Sequence, residues 1–151
     1  MSRAFVKEDD DAVEDLPDRP ISTAPNLVTI EGLAAIETEI AHLSVDLAQA
    51  GEDRANRARV NRDLRYWTAR RANAQLVPAP ENNDAVRFGS TVSLDRDDGV
   101  RQTFRIVGED EADPEAGTLS YVSPLARSLI GKSVGDSVRV AAHEFEIAEI
   151  S

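Results

Sequence analysis

Two adjacent carboxylates, Glu52 and Asp53, are residues whose types and spacing could support chemistry. They lie in the stretch LAQAGEDRANRA, residues 47 to 58, between two segments with helical periodicity. Because the chain has to turn there, both side chains belong to the tip of a predicted helical pair. Such carboxylates are either a functional set of oxygen ligands or part of an ordinary polar turn. The local sequence leaves both interpretations open.

The overall composition argues against most other kinds of chemistry. Among 151 residues there is no cysteine, and His42 and His143 are the only histidines, so thiol catalysis, disulfides and a histidine-based zinc site or triad are not expected. Lys and Arg number 17 against 28 Asp and Glu, and the net charge of −11 disfavours direct sequence-specific DNA binding. No apolar run approaches the roughly 20 residues that span a bilayer. The acidic start, from Met1 to Asp11, is unlike a signal peptide. We therefore expect a cytoplasmic protein without a membrane segment.

The first 26 residues are predicted to form a flexible acidic arm. They are rich in Asp and Glu, they contain Pro17, Pro20 and Pro25, and they show no sustained apolar period that could pack a face.

A helix is predicted from Thr29 to Gly51. Thr29 is suited to cap its start, and Gly51 is suited to end it in the left-handed conformation. The apolar stripe, spaced by three and four residues, comprises Ile30, Leu33, Ile36, Ile40, Leu43 and Leu47.

A second helix follows, with Pro78 as its stop. Its stripe comprises Val60, Leu64, Trp67 and Ala74. Two narrow stripes joined by a short connection favour an antiparallel coiled-coil hairpin over residues 27–78. Glu52, Asp53 and Arg54 are then at its tip.

The second helix is unusually basic. Its arginines are Arg54, Arg57, Arg59, Arg62, Arg65, Arg70 and Arg71. The first helix carries Glu31, Glu37, Glu39 and Asp46. Two interpretations stay open: charge complementarity between the helices with a solvated face, or arginines that enter an anionic cavity of a partner.

Beyond the linker VPAPENNDA, the period becomes that of strands, and we predict a small, mainly antiparallel sheet over residues 79–151. VRFGSTVSL and VRQTFRIVG flank the turn sequence DDG at 97 to 99, which is typical of a hairpin. One short helix is predicted in SPLARSLIG, where Ser123 can cap and Pro124 suits the first helical position. The chain is therefore expected to be of the α+β class.

Several segments of the sequence resemble a known protein family. The segment RFGSTVSLDRDDGVRQTFRIVGEDEADPEAGTLSYVSPLARSLIGKSVGD resembles the C-terminal domain of the Gre family of bacterial transcription factors, and RIVGEDEAD, SYVSPLARSLIGK and VGD make the match specific. TIEGLAAIETEIAHL and RYWTARRANAQLV are similar to the start and end of the family's N-terminal coiled coil. The likeness covers about residues 27 to 151.

The resemblance implies an FKBP-like domain that docks on RNA polymerase at the rim of its secondary channel. The family residues that face the polymerase map here to Asp110, Glu111, Asp113, Ser123, Pro124 and Arg127. It also implies a coiled coil that enters the channel. There, an Asp and a Glu at the tip help hold a second magnesium ion of the polymerase, so that water cleaves a backtracked transcript.

This sequence departs from the family at the tip. In GEDRAN, Glu52 stands for the family's Asp, but Ala55 occupies the position of its Glu, with Asp53 as a possible substitute. Each helix holds roughly 20 to 24 residues, or about 30 to 36 Å, and the family's arms are longer by several turns. The tip is therefore expected not to reach the polymerase's metal, and no metal or cofactor of its own is expected.

Three functions follow from these observations. The leading expectation is a monomeric, non-enzymatic regulator that binds RNA polymerase without efficient stimulation of cleavage. The second is a cleavage-stimulating elongation factor that uses the tip carboxylates. The third, a peptidyl-prolyl isomerase, rests on the FKBP-like topology alone, because the aromatic residues alternate as core residues do: Phe88, Phe104, Tyr121 and Phe145.

Overall fold

A computed structural model of the chain describes residues 16–151. Two compact units are present. The described part of the first comprises residues 16–23 and Ala34–Ala74, and the second comprises Ala24–Leu33 and Gln75–Ser151. No helix within residues 16–151 has the length and apolar character needed to cross a bilayer.

Helix α1, Ile30–Gln49, and helix α2, Arg54–Ala72, confirm the two predicted helices. Thr29 caps α1, since its Oγ1 accepts a hydrogen bond from Gly32 N–H at 2.9 Å. Gly51 follows α1 with a φ of 57°, the left-handed conformation that glycine adopts at least cost. Helix α2 begins well before the first residue of the predicted stripe because Asp53 caps it.

The two helices of the first unit run antiparallel. Glu37 on α1 forms a salt bridge of 3.2 Å with Arg71 on α2. Closer to the tip, both helices line a surface groove that comprises Leu43, Asp46, Gln49, Asn56, Arg59, Val60 and Asp63. Ile36 and Leu43 of the predicted stripe are buried.

The assignment of Ile30 to that stripe is wrong, because its side chain is 64% exposed. The first turn of α1 belongs to the second unit, where Gly32 faces Glu111. Residues 30 and 32 lie about 200° apart around a helix, so Ile30 points away from that contact.

The prediction of a flexible arm is wrong for residues 16–26. Within the first unit, Arg19 forms a salt bridge of 3.3 Å with Asp63 of α2, and Asp18 pairs with Arg65. Within the second unit, Tyr121 donates a hydrogen bond from its hydroxyl to Pro25 O. Residues 16–26 therefore make specific contacts that their polar, proline-containing sequence did not indicate. The remainder of the predicted arm, residues 1–15, lies outside the described residues.

Seven strands lie in the second unit. Strands β1, Leu27–Val28, and β2, Gln75–Leu76, form a parallel pair. The larger sheet has the order β5-β4-β3-β7-β6 and comprises β3 Thr91–Arg96, β4 Arg101–Val107, β5 Thr118–Ser120, β6 Ser137–Val140 and β7 His143–Ile150. Its pairings are antiparallel except β4–β5, which confirms a mainly antiparallel sheet.

Helix α3, Pro124–Leu129, packs its apolar face into the core of this sheet. Ala126 and Leu129 are fully buried there, together with Leu94, Ile106 and Ile147 of the strands. The predicted turn at DDG joins β3 to β4, with Gly99 at a φ of 86°. This packing fixes α3 and the loops around it on one rigid scaffold.

Two predicted boundaries need correction. The strand expected from Val86 begins only at Thr91, because the backbone of Val86 pairs with the turn after α3, through Gly131 N–H and Lys132 O. The expected boundary between a hairpin over 27–78 and a domain over 79–151 also differs from the observed units. Residues 24–33 and 75–78 belong to the second unit, since β1 pairs with β2 and a Cβ on Gly108 would lie 2.3 Å from Leu27 O.

Candidate functional site

The tip between α1 and α2 has one carboxylate committed to holding the helix start. Asp53 Oδ1 accepts a hydrogen bond from Asn56 N–H at 3.2 Å, which satisfies one of the free N–H groups of the first turn. Glu52 and Arg54 are exposed beside it, and so is Ala55. Among residues 16–151, no group of three or more His, Cys, Asp or Glu side chains is placed to hold a metal ion.

Several arginines of α2 contact oxygen atoms within the first unit. Three of them pair with carboxylates: Arg71 with Glu37 of α1, Arg65 with Asp18, and Arg62 with Asp63. Near the tip, Arg57 contacts Gly51 O at 3.4 Å, and Arg59 contacts the Asn56 side chain, both uncharged oxygens. Charge complementarity between the helices is thus present at the Glu37–Arg71 pair.

The acidic loop after β4 is built around Glu111, the last residue of a 3₁₀ turn at Glu109–Glu111. The Glu111 carboxylate accepts the hydroxyl hydrogen bond of Thr29 and contacts Gly108 N–H at 3.5 Å. A Cβ at Gly32 would lie 2.3 Å from Glu111 Oε2, so the carboxylate rests directly against the first turn of α1. Glu111 therefore positions the loop from inside the unit.

Asp110 and Asp113 lie on the outer part of the same loop. Asp110 is half-buried, and Asp113 is exposed. Backbone groups of Asp113 are fixed, because its N–H donates to Thr118 Oγ1 at 2.8 Å and its carbonyl accepts from Thr118 N–H at 3.1 Å. The loop thus presents an exposed carboxylate from a backbone that is held at both ends.

The start of α3 forms the second predicted part of the site. Ser123 Oγ accepts a hydrogen bond from Ala126 N–H at 3.3 Å, and Pro124 occupies the first turn, which confirms the predicted cap. Pro124 and Arg127 are exposed. β5 lies between the acidic loop and this helix in the chain, so both segments are carried by one edge of the sheet.

Arg127 also lines a cleft of about 340 Å³ that sequence analysis did not anticipate. Its lining comprises Ala24, Pro25, Tyr121, Val122, Arg127 and Ile130. Tyr121 was predicted as a core residue, yet it is only half-buried, stacks edge-on against Phe88 at 5.7 Å and bonds to Pro25 O. The polar hydroxyl of a tyrosine was the available signal, since a buried Tyr needs a hydrogen-bond acceptor.

A second contact ties the first turn of α1 to the sheet. Arg105 of β4 lies 3.4 Å from the Glu31 carboxylate. The pKa of Glu31 is lowered, first by a hydrogen bond from its own backbone N–H and then by the charge of Arg105. Together with the Thr29–Glu111 hydrogen bond, this pair fixes residues 29–31 against β4 and the acidic loop.

Several known proteins are similar to this chain in sequence or in structure. The family described as "Transcription elongation factor, GreA/GreB, C-term" matches residues 81–151. Transcription elongation factor GreA of Rhodospirillum rubrum is 35% identical over 137 residues, which cover 76% of this chain and 87% of that protein. The GreA of Alkalilimnicola ehrlichii is 50% identical over 86 residues, which cover 52% of this chain and only 54% of that relative. The crystal structure of GreA factor homolog 1 of Thermus thermophilus aligns at a TM-score of 0.42 and 17% identity, over 85% of this chain and 99% of that one.

Proposed function

Because this chain belongs to the GreA/GreB family of transcription elongation factors, we propose that it binds RNA polymerase at the secondary channel and regulates elongation there. In this proposal, the second unit, called the sheet unit below, acts as the family's FKBP-like docking domain, and α1 and α2 act as its coiled coil. The protein works as a cytoplasmic monomer. It is not itself an enzyme, since any transcript hydrolysis takes place at the polymerase's own metal site.

The docking surface comprises Asp110, Asp113, Ser123, Pro124 and Arg127. Its support is the rigidity of the two segments that carry it. The loop backbone is held through Thr118, and α3 is capped by Ser123 and anchored by buried Leu129. Surfaces that are ordered before binding lose little conformational entropy on docking. Glu111 contributes indirectly, by fixing the acidic loop.

The observation that carries the proposed lack of efficient cleavage is the role of Asp53. Its carboxylate caps α2, and Ala55, two residues further along the chain, stands where the family motif places a Glu. Glu52 is then the one carboxylate of this adjacent pair that takes no part in the cap. A single carboxylate is a poor holder for a second Mg²⁺ in an active site, because that ion prefers several oxygen ligands in fixed geometry.

Helix length supports the same conclusion. α1 has 20 residues and α2 has 19, so each is about 30 Å long at 1.5 Å per residue. The coiled-coil arms of the Gre family are longer than these two helices by several turns, as the resemblance implies. Catalytic groups displaced by as little as about 1 Å lose most of their effect. A tip that ends a turn or more short cannot assist the polymerase's metal.

A second candidate function, stimulation of cleavage, keeps one supporting observation. Asp53 uses Oδ1 for its cap, which leaves Oδ2 beside the exposed Glu52. In this alternative, the two adjacent carboxylates replace the family's spaced pair.

Binding to core RNA polymerase tests the proposal most directly. The full chain should co-purify with core polymerase, and an active Gre factor in excess should displace it, because both use the same channel entrance. Binding that an excess of the Gre factor leaves unchanged would place the protein at another surface, and absence of binding would reject the proposed function.

A further inference from the structure

An arginine and an aromatic residue on α2 form a surface that residues 16–19 cover. Arg65 Nε donates to Asp18 Oδ1 at 2.5 Å, and Arg65 Nη2 donates to Leu16 O at 2.9 Å. One guanidinium thus recognises a carboxylate and a backbone carbonyl two residues earlier. The planar fork of Arg suits such two-point recognition. Leu16 and Arg19 each precede a proline, which favours extended backbone at both residues.

Arg19, the residue after Asp18, carries the opposite charge and contacts an aromatic ring and a carboxylate of α2. Its guanidinium carbon lies 3.9 Å from the centroid of the Tyr66 ring, and Nη1 lies 3.3 Å from Asp63 Oδ1. The Trp67 ring, which packs edge-on against Tyr66 at 5.1 Å, is 5.9 Å from the same guanidinium carbon. Stacking on an aromatic face combined with one carboxylate is a typical environment for recognised arginines.

These contacts favour one order of charges along the bound segment. Arg65 favours an acidic side chain, and the Tyr66 ring with the Asp63 carboxylate favours a cation, although Arg62 also contacts that carboxylate at 3.3 Å. An Asp followed directly by an Arg satisfies both preferences. An Arg followed by an Asp would place like charges together at both positions. The surface therefore selects the direction of an extended segment as well as its composition.

The contacts of residues 16–19 with α2 can be exchanged for those of another segment. Side-chain exposure is 37% for Arg19 and 24% for Asp63, and it is 43% for Arg65 and 73% for Asp18. Ion pairs that are this exposed are weak and are screened by salt. Ile21, the next large apolar residue, is itself exposed, so it does not anchor the segment.

We propose that Asp63, Arg65 and Tyr66 form a recognition site for an extended Asp-Arg segment, which residues 16–19 occupy in cis. A partner protein that carries an exposed, extended Asp-Arg pair binds the same site in trans by displacing them. The tether supplies an effective concentration of roughly millimolar, so a partner succeeds only when it adds contacts elsewhere or when salt weakens the cis contacts. This inference does not depend on polymerase binding.

The composition of the chain makes the cis contact measurable. There is one tryptophan, Trp67, and no cysteine, so a nitroxide on Ile21→Cys gives a single quencher near a single fluorophore. We expect strong quenching of Trp67 at low salt and its loss at about 1 M NaCl, where the Debye length is about 3 Å. Asp18→Ala with Arg19→Ala should abolish quenching at low salt. The control pair Glu115→Ala with Arg139→Ala, also neutral in net charge and exposed, should leave quenching unchanged.

A peptide experiment tests recognition in trans. The Asp18→Ala, Arg19→Ala protein without label receives the peptide LPDRPI or its exchanged form LPRDPI at up to about 10 mM, and Trp67 emission is followed. We expect saturable binding of LPDRPI and at least about fivefold weaker binding of LPRDPI, in line with the energy of exposed charge pairs. Equal binding of both peptides, or no binding of LPDRPI, would overturn the site. So would quenching that persists in the labelled double variant while circular dichroism shows intact helices.

Discussion

Thr29 and Glu111, 82 positions apart in the chain, are joined by a hydrogen bond from the Thr29 hydroxyl to the Glu111 carboxylate. The same hydroxyl oxygen accepts from Gly32 N–H at 2.9 Å and so caps α1. One side chain of the acidic loop therefore completes the start of a helix, and the loop and the first turn of α1 form a single hydrogen-bonded structure.

We expect Glu111→Ala to lower the free energy of unfolding by about 1–3 kcal/mol, because it leaves the buried Thr29 hydroxyl without its acceptor. In a chain of this size that corresponds to a fall of roughly 2–4 °C in Tm per kcal/mol. Thermal unfolding followed by circular dichroism measures it. Glu115→Ala, an exposed acid of the same loop, is the matched control and should be nearly neutral. Equal effects of both substitutions would contradict a structural role for Glu111.

The effect of Gly32→Ala on stability should have opposite signs in the native chain and in the Glu111→Ala variant. In the native chain, the new Cβ would lie 2.3 Å from Glu111 Oε2, so the carboxylate must leave Thr29 and stability falls. In the Glu111→Ala background the obstacle is gone, and replacing a helical glycine by alanine should raise stability by roughly 0.5–1 kcal/mol. A double-mutant cycle measures the coupling. If Gly32→Ala had the same effect in both backgrounds, the close approach would not matter energetically.

Local signals accounted for most elements of the fold. Three such signals are the Ser123-Pro124 pair, the turn sequence that ends at Gly99, and Gly51. Each acts on its own backbone or on the next few residues. The local structure that each one forms is therefore independent of the rest of the chain. The predicted helices, sheet and caps depend on such signals. Ile30 fitted the period of the stripe equally well, but a contact made by its neighbour Gly32 decided which face of that turn is covered.

The parts of the site that were not predictable depend on pairs that are distant in sequence. Nothing near Glu111 distinguishes it from Asp110 or Asp113 as a carboxylate that faces inward; only the position of Thr29 does so. The pairing of β1 with β2 joins two-residue strands, which are too short to show a period. Likewise, Arg19 lies in a segment whose composition is typical of a disordered arm, and its contact with Tyr66 arises only when α2 is in place.

Acid should weaken the β3–β4 turn through Asp98. A bidentate hydrogen bond from Arg96 is the first cause that lowers the pKa of Asp98 from 3.8 to about 2. Since the pKa is depressed in the folded state, the contribution to stability is present above pH 3.8 and is lost as pH falls toward about 2. Asp98→Asn should therefore flatten the dependence of Tm on pH in this window, and Arg96→Gln should do the same. A native slope retained in both variants would argue against the pair.

Reversal of charge on the acidic loop should weaken polymerase binding without unfolding the protein. Asp110→Lys with Asp113→Lys changes the outer part of the loop, and Pro124 can be replaced by Ala in a triple variant. Asp113 and Pro124 are exposed and Asp110 is half-buried, and substitutions outside the core usually change stability by less than about 0.5 kcal/mol. Glu144→Lys with Glu146→Lys, exposed on β7, makes the same change in net charge and should leave binding intact. Undiminished binding by a folded triple variant would remove this surface from the proposal.

Glu52 and Asp53 are expected to contribute little to transcript cleavage. With backtracked RNA polymerase complexes, the native protein should stimulate transcript cleavage at least about 10²-fold less than an active Gre factor, because its tip ends short and Ala55 replaces a carboxylate. Replacing both residues by Ala should then change little. Asp53→Asn is the companion variant, since Asn retains the cap of α2 while removing the charge.

Competition should survive in the native protein and in both tip variants. Increasing amounts of the native protein, of Glu52→Ala with Asp53→Ala, or of Asp53→Asn should equally reduce cleavage by an active Gre factor, because docking through the sheet unit does not need the tip carboxylates. The measurement is the rate of transcript shortening at a fixed concentration of the active factor. Robust cleavage by the native protein alone, abolished in the double alanine variant and reduced by Asp53→Asn, would instead show that the two adjacent carboxylates reach and hold the polymerase's second Mg²⁺.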